Sequence, residues 1–211
     1  MKRKVRINYV VGRIASGKST FITQTIEANN MRSDIKIDSI RFKVSSKIKE
    51  FLKTSEDRDA IQSKSISLSK KEKEILNQSV AVSLILAMRH SILQSSDKDI
   101  YIYVDGIRDN ALFKMIRTKL IEYSSFWHDT DQGIELSECF YEMRVPDELR
   151  VKRYYERELS KGVVLTMEEA IFQMYKADKK DDSIGFQLLI DYVEQNRTHW
   201  FQFGKINSLN Y

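Results

Sequence analysis

The sequence predicts an α/β protein in which a parallel β-sheet is flanked by helices on both faces, in three layers. Short apolar runs with the length and composition of strands alternate with longer segments of helical periodicity. A glycine-containing loop joins the first apolar run to the first helical segment, and only 7 glycines and 1 proline interrupt the 211 residues. Strands separated by helices favour a parallel sheet, because a crossover helix is the usual connection between parallel strands.

The predicted elements follow one another without linkers or repeats. Strands are expected at 5–11, 34–38, 99–105, 136–143 and 200–206, and helices at 18–29, 74–94, 109–123, 147–159, 166–177 and 182–195. The polar region between the second strand and the helix at 74 is predicted to be mostly helical. We interpret 1–211 as one domain, because 42% hydrophobic residues in a chain of this length suffice for one buried core.

The composition limits the environment in which the protein works. The single cysteine, Cys139, excludes an internal disulfide and a multi-cysteine metal site. We find no leader-like segment and no continuous apolar run of about 18 residues, so we expect a soluble, cytoplasmic protein that does not bind a membrane. The net charge of +5 suits an enzyme of phosphorylated substrates and is also compatible with nucleic acid as a substrate.

A phosphate-binding loop is the strongest motif in the sequence. The segment 12–20 matches G-x-x-x-x-G-K-[S/T] at every fixed position. Its glycines let successive backbone N–H groups converge on phosphates, towards which the next helix points its positive end. Lys18 is expected to reach the β- and γ-phosphate oxygens of ATP, and Ser19 to ligate Mg²⁺. The predicted nucleotide-binding residues are Gly12, Arg13, Ala15, Ser16, Gly17, Lys18, Ser19 and Thr20.

Asp105 is the predicted second residue of the metal site. It ends the buried strand predicted at 99–105, and a carboxylate in that position holds a Mg²⁺-bound water near Ser19 in proteins with this loop. The alternative is a simple turn formed by Asp105 and Gly106. Beside a phosphate-binding loop, the metal role is the interpretation that we favour.

Two arginines are predicted to bind the phosphate of an acceptor. Arg41 belongs to the segment 38–41, which is expected to follow the second strand, and Arg108 lies three residues after Asp105. Guanidinium groups at adjacent strand ends can hold a phosphate through paired hydrogen bonds, which lysine does not offer. We therefore predict Arg41, Arg108 and Asp38 as acceptor-binding residues, and count Arg108 and Asp38 also among the catalytic ones.

A third basic element begins after Pro146. Arg150, Arg153 and Arg157 fall on one face of the helix predicted there. Such a run is often a solvated surface, but it follows a strand end, where a mobile arm could fold arginines over the transferring phosphate. Arg153 and Arg157 are therefore predicted, with Lys18, to be catalytic.

These motifs together resemble the nucleoside monophosphate kinase family of P-loop kinases. The passage 145–149 with Arg153 and Arg157 resembles the strand-to-lid passage of adenylate kinases, whose matching arginines bind ATP phosphates. Segment 38–41 is similar to the Asp-x-x-Arg of the family's monophosphate-binding arm, and segment 179–182 to its Arg-Lys-Asp-Asp, although Lys179 replaces the arginine.

Segment 105–108, Asp-Gly-Ile-Arg, is similar to the Asp-Gly-Phe-Pro-Arg of adenylate kinases. It is one residue shorter and lacks the proline, so that it looks more like the element of dephospho-coenzyme A kinases and phage-type deoxynucleotide kinases. The resemblance implies a three-layer P-loop kinase fold with a small helical acceptor arm at about 39–75 and a lid at about 158–178. It also implies an ATP-dependent kinase with Mg²⁺.

The acceptor is the open question. A (deoxy)nucleoside monophosphate presents an anionic oxygen and needs no base, so that Asp38 would position Arg41. The main alternative resembles 5′-hydroxyl polynucleotide kinases and kinases of hydroxymethylated bases in DNA, in which the aspartate of Asp-x-x-Arg accepts the proton of a hydroxyl. Asp38 suits either role. A further alternative is a non-enzymatic ATP-binding switch, which has less use for two separate arginine clusters.

Overall fold

The computed structural model describes residues 3–32, 36–54, 58–95, 98–123 and 134–195. Four strands lie in these ranges: β1 (Arg3–Val11), β2 (Ile37–Lys43), β3 (Asp99–Asp105) and β4 (Ile134–Glu142). The same ranges contain eight helices: α1 (Lys18–Met31), α2 (Val44–Leu52), α3 (Arg58–Ser67), α4 (Lys70–Gln94), α5 (Asn110–Glu122), α6 (Asp147–Ser160), α7 (Met167–Ser183) and α8 (Phe186–Gln195). The strand predicted at 200–206 lies outside the described residues.

The four strands form one parallel sheet in the order β2-β3-β1-β4. Val10 of β1 and Lys43 of β2 both lie opposite Asp105 of β3, and Val11 lies opposite Glu142 of β4. The carboxyl ends of all four strands therefore meet at one edge. Ligands of open parallel sheets bind at this edge. The parallel sheet with its flanking helices confirms the predicted fold class.

Helices cover both faces of the sheet. Ile7 and Tyr9 of β1 point into a core shared with α4, α5 and α8, where the Tyr9 and Phe113 rings meet edge to face with their centroids 5.1 Å apart. Val10 points to the opposite face and packs with Ile22 of α1. The alternation of side chains along β1 thus separates two apolar layers, as expected for a sheet buried on both faces.

A buried polar bridge ties β1 to β4 and α5. The Tyr9 hydroxyl donates a hydrogen bond to Glu138 Oε1 at 2.7 Å, and Arg117 Nη2 donates to Glu138 Oε2 at 3.2 Å. Burial, reinforced by the nearby carboxylate of Glu138, raises the pKa of Tyr9 well above its ordinary value. The phenol therefore stays protonated and remains a hydrogen-bond donor across the range in which proteins are folded.

The second strand is displaced from its predicted position. It spans Ile37–Lys43 and not 34–38, so that the prediction that segment 38–41 follows the strand is wrong. Ile40 and Phe42 are partly buried against the main core, and the ladder to β3 continues to Lys43. Because β2 is an edge strand, half-exposed polar residues can stand between its apolar ones, and the apolar run that marks an inner strand is absent.

Helix α4 begins at Lys70, four residues before the predicted start, because Ser69 and Glu72 form a capping box. The Ser69 N–H donates to Glu72 Oε2 at 2.8 Å, and the Glu72 N–H donates to Ser69 Oγ at 3.3 Å. By length and composition, α4 could cross a membrane. This indication is weak, since Val80 and Leu84 are buried in the core as in an ordinary core helix. A soluble, cytoplasmic protein stays a prediction.

The predicted insertions correspond to helices beside the sheet edge. α2 and α3 lie in the expected acceptor arm, 39–75, of which the first five residues belong to β2. The expected lid, 158–178, contains the end of α6 and most of α7. α3 lies next to α7, so that the arm and the lid meet. The division of the chain into one domain with these two insertions stays a prediction.

Candidate nucleotide-binding site

The phosphate-binding loop connects β1 to α1 and requires glycine at two positions. A Cβ atom on Gly12 would lie 2.6 Å from Ser16 Oγ, closer than real Cβ contacts, and at the tight distance of 3.0 Å from the backbone oxygen of Met143. Gly17 has a left-handed backbone, with φ of 82°, and immediately precedes the first residue of α1. The loop therefore turns tightly and leads directly into the positive end of a helix.

Lys18 lies inside the curve of the loop. Its ammonium donates hydrogen bonds to the carbonyl oxygens of Gly12 and Arg13, the latter at 2.9 Å, and to Ser16 Oγ at 3.3 Å. The charge is thus held against the oxygen atoms of the loop. Ala15 adopts a left-handed backbone, with φ of 58°, and Thr20 lines the cleft in front of the loop.

Arg13 points away from the cleft. Its guanidinium donates to both carboxylate oxygens of Asp182 on α7, at 3.0 and 3.2 Å, and lies 5.4 Å from the centre of the Phe186 ring. As a predicted nucleotide-binding residue, Arg13 can therefore contribute backbone atoms, while its side chain ties the loop to α7.

A cleft of about 1590 Å³ opens at the carboxyl edge of the sheet. Single small-molecule sites span about 300–1,000 Å³, so this cleft has room for two ligands. We name its two parts after the predicted roles of their residues: the donor half, formed by 16–20, Asp105 and Arg153, and the acceptor chamber. The acceptor chamber has apolar walls from α2, α3, α4 and α5, formed by Val44, Ile48, Ile61, Leu76, Leu112 and Met115.

The structure brings the two predicted metal ligands to one place. Arg41 Nη2 donates to Ser19 Oγ at 2.9 Å, and the same guanidinium pairs with Asp105 Oδ2, which also accepts from Nε at 3.2 Å. Asp105 is only 8% exposed, so its charge requires a cation nearby. A serine hydroxyl and a carboxylate are hard oxygen ligands, and these residues fit Mg²⁺.

Arg108 is the second predicted acceptor-binding arginine. It lines the cleft and is anchored from behind by an ion pair with Asp181 of α7, which is completely buried. Arg41 and Arg108 thus both reach the cleft, although in this structure each pairs with a carboxylate. Both arginines of the predicted pair line the same cleft, and their role as a phosphate clamp stays a prediction.

Arg150, on α6, supports the phosphate-binding loop from outside, a role that was not predicted from the sequence. It is 4% exposed; its Nε donates to the Ile14 carbonyl at 3.1 Å, and Nη2 donates to both oxygens of Asp178 at 2.6 and 2.7 Å. Asp147 accepts from Nη1 at 2.7 Å. Arg150 therefore holds the phosphate-binding loop, α6 and α7 together. Its position on one face with Arg153 was visible in the sequence, but its partners 28 and 136 residues away were not.

We expect Asp178→Asn to lower the free energy of unfolding by about 3 kcal/mol, because the buried guanidinium of Arg150 keeps only Asp147, which is half-exposed, as a charged partner. The matched control is Asp182→Asn on the same helix. The Asp182 side chain is 44% exposed, and its pair with Arg13 should be worth under about 1 kcal/mol. Denaturant unfolding of both variants measures the difference. Equal losses would show that burial of the Arg150 pair has no energetic consequence.

Arg153 and Arg157 differ in their surroundings. Arg153 lines the donor half, and its Nη1 would lie 3.3 Å from a Cβ placed on Gly17. Within the described residues it makes no hydrogen bond or ion pair. Arg157 also lines the cleft, but it donates to Glu158 at 2.7 and 2.9 Å and lies 4.9 Å from the centre of the Tyr154 ring. Arg153 is therefore the residue with a guanidinium available over the loop.

Asp38 lies near the amino ends of the strands, whereas the loop lies at their carboxyl ends. Its predicted place beside the loop is therefore wrong. It pairs in register with Ile100, five residues before Asp105, which corresponds to about 16 Å along the strand. Lys98 Nζ donates to Asp38 Oδ1 at 2.8 Å, and Ser95 donates to its other oxygen. The displacement of β2 towards higher residue numbers explains the error. Asp38 is therefore not part of the candidate site.

We expect Asp38→Asn to leave turnover within about twofold of the wild type. Burial alone would raise the pKa of Asp38, but hydrogen bonds from Lys98 and Ser95 outweigh it and lower the pKa. The ionised form therefore stabilises the fold above the ordinary pKa near 4, and this contribution is lost as pH falls through the lowered pKa.

The variant should lose under about 1 kcal/mol at pH 7, and the difference should shrink in acid. Initial rates and denaturant unfolding at several pH values measure both. A large loss of turnover at saturating acceptor, in a variant that is still folded, would show that Asp38 has a catalytic role.

A polar pair in the acceptor chamber was also missed. Asn77 of α4 is 9% exposed and donates from Nδ2 to Asp109 Oδ2 at 3.3 Å. Asp109 Oδ1 accepts from the Ala111 N–H at 2.7 Å and caps α5. Both residues line the chamber. An asparagine in an apolar helix segment was the only signal, and the sequence does not show what it faces.

No protein-family model and no curated protein matches the sequence. Among solved structures, the chain is similar to a deoxyadenosine kinase from M. mycoides, solved with the products dCMP and a flexible dCDP. The two chains share 12% sequence identity over 95% of this chain and 90% of that chain, with a TM-score of 0.41.

Proposed function

We propose that the protein is an ATP-dependent phosphotransferase that moves the γ-phosphate of ATP to a nucleotide, most simply a (deoxy)nucleoside monophosphate. The observation that carries the proposal is the arrangement of one cleft in two halves. A phosphate-binding loop with Lys18 and Ser19 forms the donor half, and it is adjoined by a chamber whose apolar walls would suit a nucleobase. A switch that binds ATP alone would have no use for the second half.

The charge of the cleft supports an anionic acceptor. Nine Lys or Arg side chains line the cleft, against three Asp or Glu side chains. Several of these cations, including Lys43, Lys70 and Lys73, lie on the side of the acceptor chamber. Such an excess favours two phosphorylated ligands over ATP with a neutral nucleoside, because cations gathered along a cleft create a positive potential that attracts anions.

Each half has residues for one part of the reaction. In the donor half, Ser19 and Asp105 would hold Mg²⁺, which when bound neutralises charge on the β- and γ-phosphates. Lys18 would contact the same phosphates from the loop, and Arg153 would cover the group in transfer. Arg108, positioned by Asp181, would orient the acceptor's phosphate. Phosphoryl transfer needs mainly such positioning and electrostatic stabilisation, and an acceptor phosphate needs no base.

The position of Asp38 weakens the hydroxyl-kinase alternative. A hydroxyl acceptor needs a general base, the role considered for Asp38. Asp38 lies opposite Ile100, near the amino end of β3, and does not line the cleft. Of the acidic side chains that line the acceptor chamber, Asp109 is engaged by α5 and Asn77. The Tyr154 ring packs against the cluster that contains Ile14 and Met174, and stacking on a base would require it to leave this cluster.

One assay tests the proposal. Radiolabelled ATP with Mg²⁺ is offered with each ribo- and deoxynucleoside monophosphate, the matching nucleosides, dephospho-coenzyme A, 5′-hydroxyl oligonucleotides and hydroxymethylated DNA. We expect transfer to a monophosphate and none to the matching nucleoside. Transfer to a hydroxyl acceptor alone would replace the proposed acceptor class. ATP binding with no transfer to any acceptor would favour the switch.

A further inference from the structure

Arg41 lies where the proposed function needs a metal ion. Its guanidinium contacts Ser19 Oγ at 2.9 Å and pairs with Asp105 Oδ2, the two side chains assigned to Mg²⁺. The Arg41 and Asp105 side chains are only 19% and 11% exposed, so the pair is well shielded from solvent. In this structure the arginine supplies the positive charge that the buried carboxylate requires.

The protein offers the metal only two side-chain ligands, Ser19 and Asp105. So small a number of protein ligands is typical of Mg²⁺. Mg²⁺ is usually bound by one or two protein oxygens, with waters and substrate phosphates completing its shell. The described part of the chain has no group of three or more His, Cys, Asp or Glu side chains that could form an all-protein site. The affinity of this site for a metal therefore depends on the nucleotide.

Arg41 and a divalent cation cannot both occupy this position, because they share Asp105 Oδ2 and repel each other. The backbone of Arg41 is fixed in the ladder, opposite Tyr103 of β3, so only the side chain can move. Arg41 lines the cleft two residues before Lys43 and three before Val44, which opens the acceptor chamber. A guanidinium released from Asp105 therefore stays on the acceptor side of the cleft.

We propose that Arg41 is an internal counter-ion of the metal site, which the metal–nucleotide complex displaces towards the phosphate of the acceptor. Arg41 thereby couples the two halves of the cleft. The acceptor binds tightly only after the donor has bound, because until then its arginine is engaged by Asp105 and Ser19. This coupling rests on the proposed function and adds an order of binding to it.

The first test measures metal binding and needs no turnover. Mn²⁺, which replaces Mg²⁺ and is visible by EPR, is titrated into protein with the non-hydrolysable analogue AMP-PNP. Arg41→Gln should tighten Mn²⁺ binding about tenfold, because a competing charged hydrogen-bonded partner is removed. The matched control is Arg144→Gln, which removes the same charge from another arginine of the cleft, one that pairs with Glu142 and Glu194.

Arg144→Gln should leave the Mn²⁺ affinity within about twofold of the wild type. An equal gain in both variants would mean that general charge repulsion is being relieved, and would overturn the proposal. So would unchanged or weakened Mn²⁺ binding in Arg41→Gln. Circular dichroism of each variant checks that the fold is retained.

The second test measures the coupling by calorimetry. The affinities of dAMP, dCMP, dGMP and dTMP are each determined with and without saturating Mg²⁺ and AMP-PNP. For a monophosphate that binds the wild type, the donor complex should tighten binding at least tenfold. Arg41→Gln should bind it weakly in both states, with less than a twofold change, and Arg144→Gln should keep the coupling.

The outcomes separate the two proposals. If the wild type binds Mn²⁺ with AMP-PNP but shows no coupling, or if Arg41→Gln keeps it, the role of Arg41 is wrong while the proposed function stands. If the wild type binds neither Mn²⁺ with AMP-PNP nor any monophosphate, both fail.

Discussion

Replacing Lys18 by alanine is expected to reduce phosphate transfer about 10³-fold while the protein stays folded. The ammonium donates to the carbonyl oxygens of Gly12 and Arg13 and to Ser16 Oγ, so its charge is held against the loop. Removing one preorganised donor from a transition-state site costs about 10²–10³ in turnover, and the lost charge places the effect at the upper end. Within segment 12–20, the only other cation, Arg13, is engaged by α7.

Initial rates with radiolabelled ATP and the acceptor from the panel measure the loss, and circular dichroism checks the fold. Lys71→Ala is the matched control, because Lys71 is exposed on α4 and outside the cleft. Its turnover should equal that of the wild type. A folded Lys18→Ala protein with unchanged turnover would refute the donor site and the proposed function with it.

Replacing Arg153 by alanine is expected to lower turnover by roughly 10³-fold, with a smaller effect on ATP affinity. Its guanidinium lies over the loop at Gly17 and makes no hydrogen bond or ion pair within the described residues, so it is available to a phosphate. An arginine that stabilises transition-state charge contributes 10³–10⁵ in other phosphotransferases, and we take the lower limit.

Arg157→Ala is the internal comparison on the same helix face. Arg157 is engaged by Glu158 and by the Tyr154 ring, and 40% of its side chain is exposed. Its replacement should cost less than about tenfold, and the double variant should resemble Arg153→Ala. Turnover at saturating ATP and the ATP dissociation constant are measured for all three. Equal losses in the single variants would mean that both arginines act on the phosphate, and no loss in any would make the run an ordinary solvated surface.

The sequence predicted the residues that form the donor half of the cleft, and their role in binding a nucleotide stays a prediction. The loop pattern in 12–20 is local, since fixed glycines, a lysine and a serine at constant spacing form the same turn wherever a strand precedes them and a helix follows. Asp105 could be found for the same reason, because it ends a run of apolar residues that only a buried strand explains. Both features depend on neighbours in the chain, and the structure places Ser19 and Asp105 on the same guanidinium.

The edge strand β2 shows where local reasoning stopped. Its residues are mostly half-exposed, so the apolar pattern placed neither end of the strand correctly. The error of three to five residues put Asp38 at the carboxyl end of the strand, whereas it lies near the amino end. Strand register depends on hydrogen bonds to β3, about 60 residues away, which leave no trace in the composition of β2 itself.

Tertiary structure alone decided which arginines are structural and which face the cleft. Arg150, Arg153 and Arg157 share one helix face, yet Arg150 is buried on Asp178, Arg157 is held by its neighbour Glu158, and Arg153 lies over the loop. The difference arises because the role of each guanidinium depends on which carboxylates lie near it. Asp178 reaches Arg150 only when folding brings α7 against α6. Local spacing thus determined the phosphate-binding loop and the fold class, whereas the pairing of charges from distant segments determined how the cleft around the loop is built.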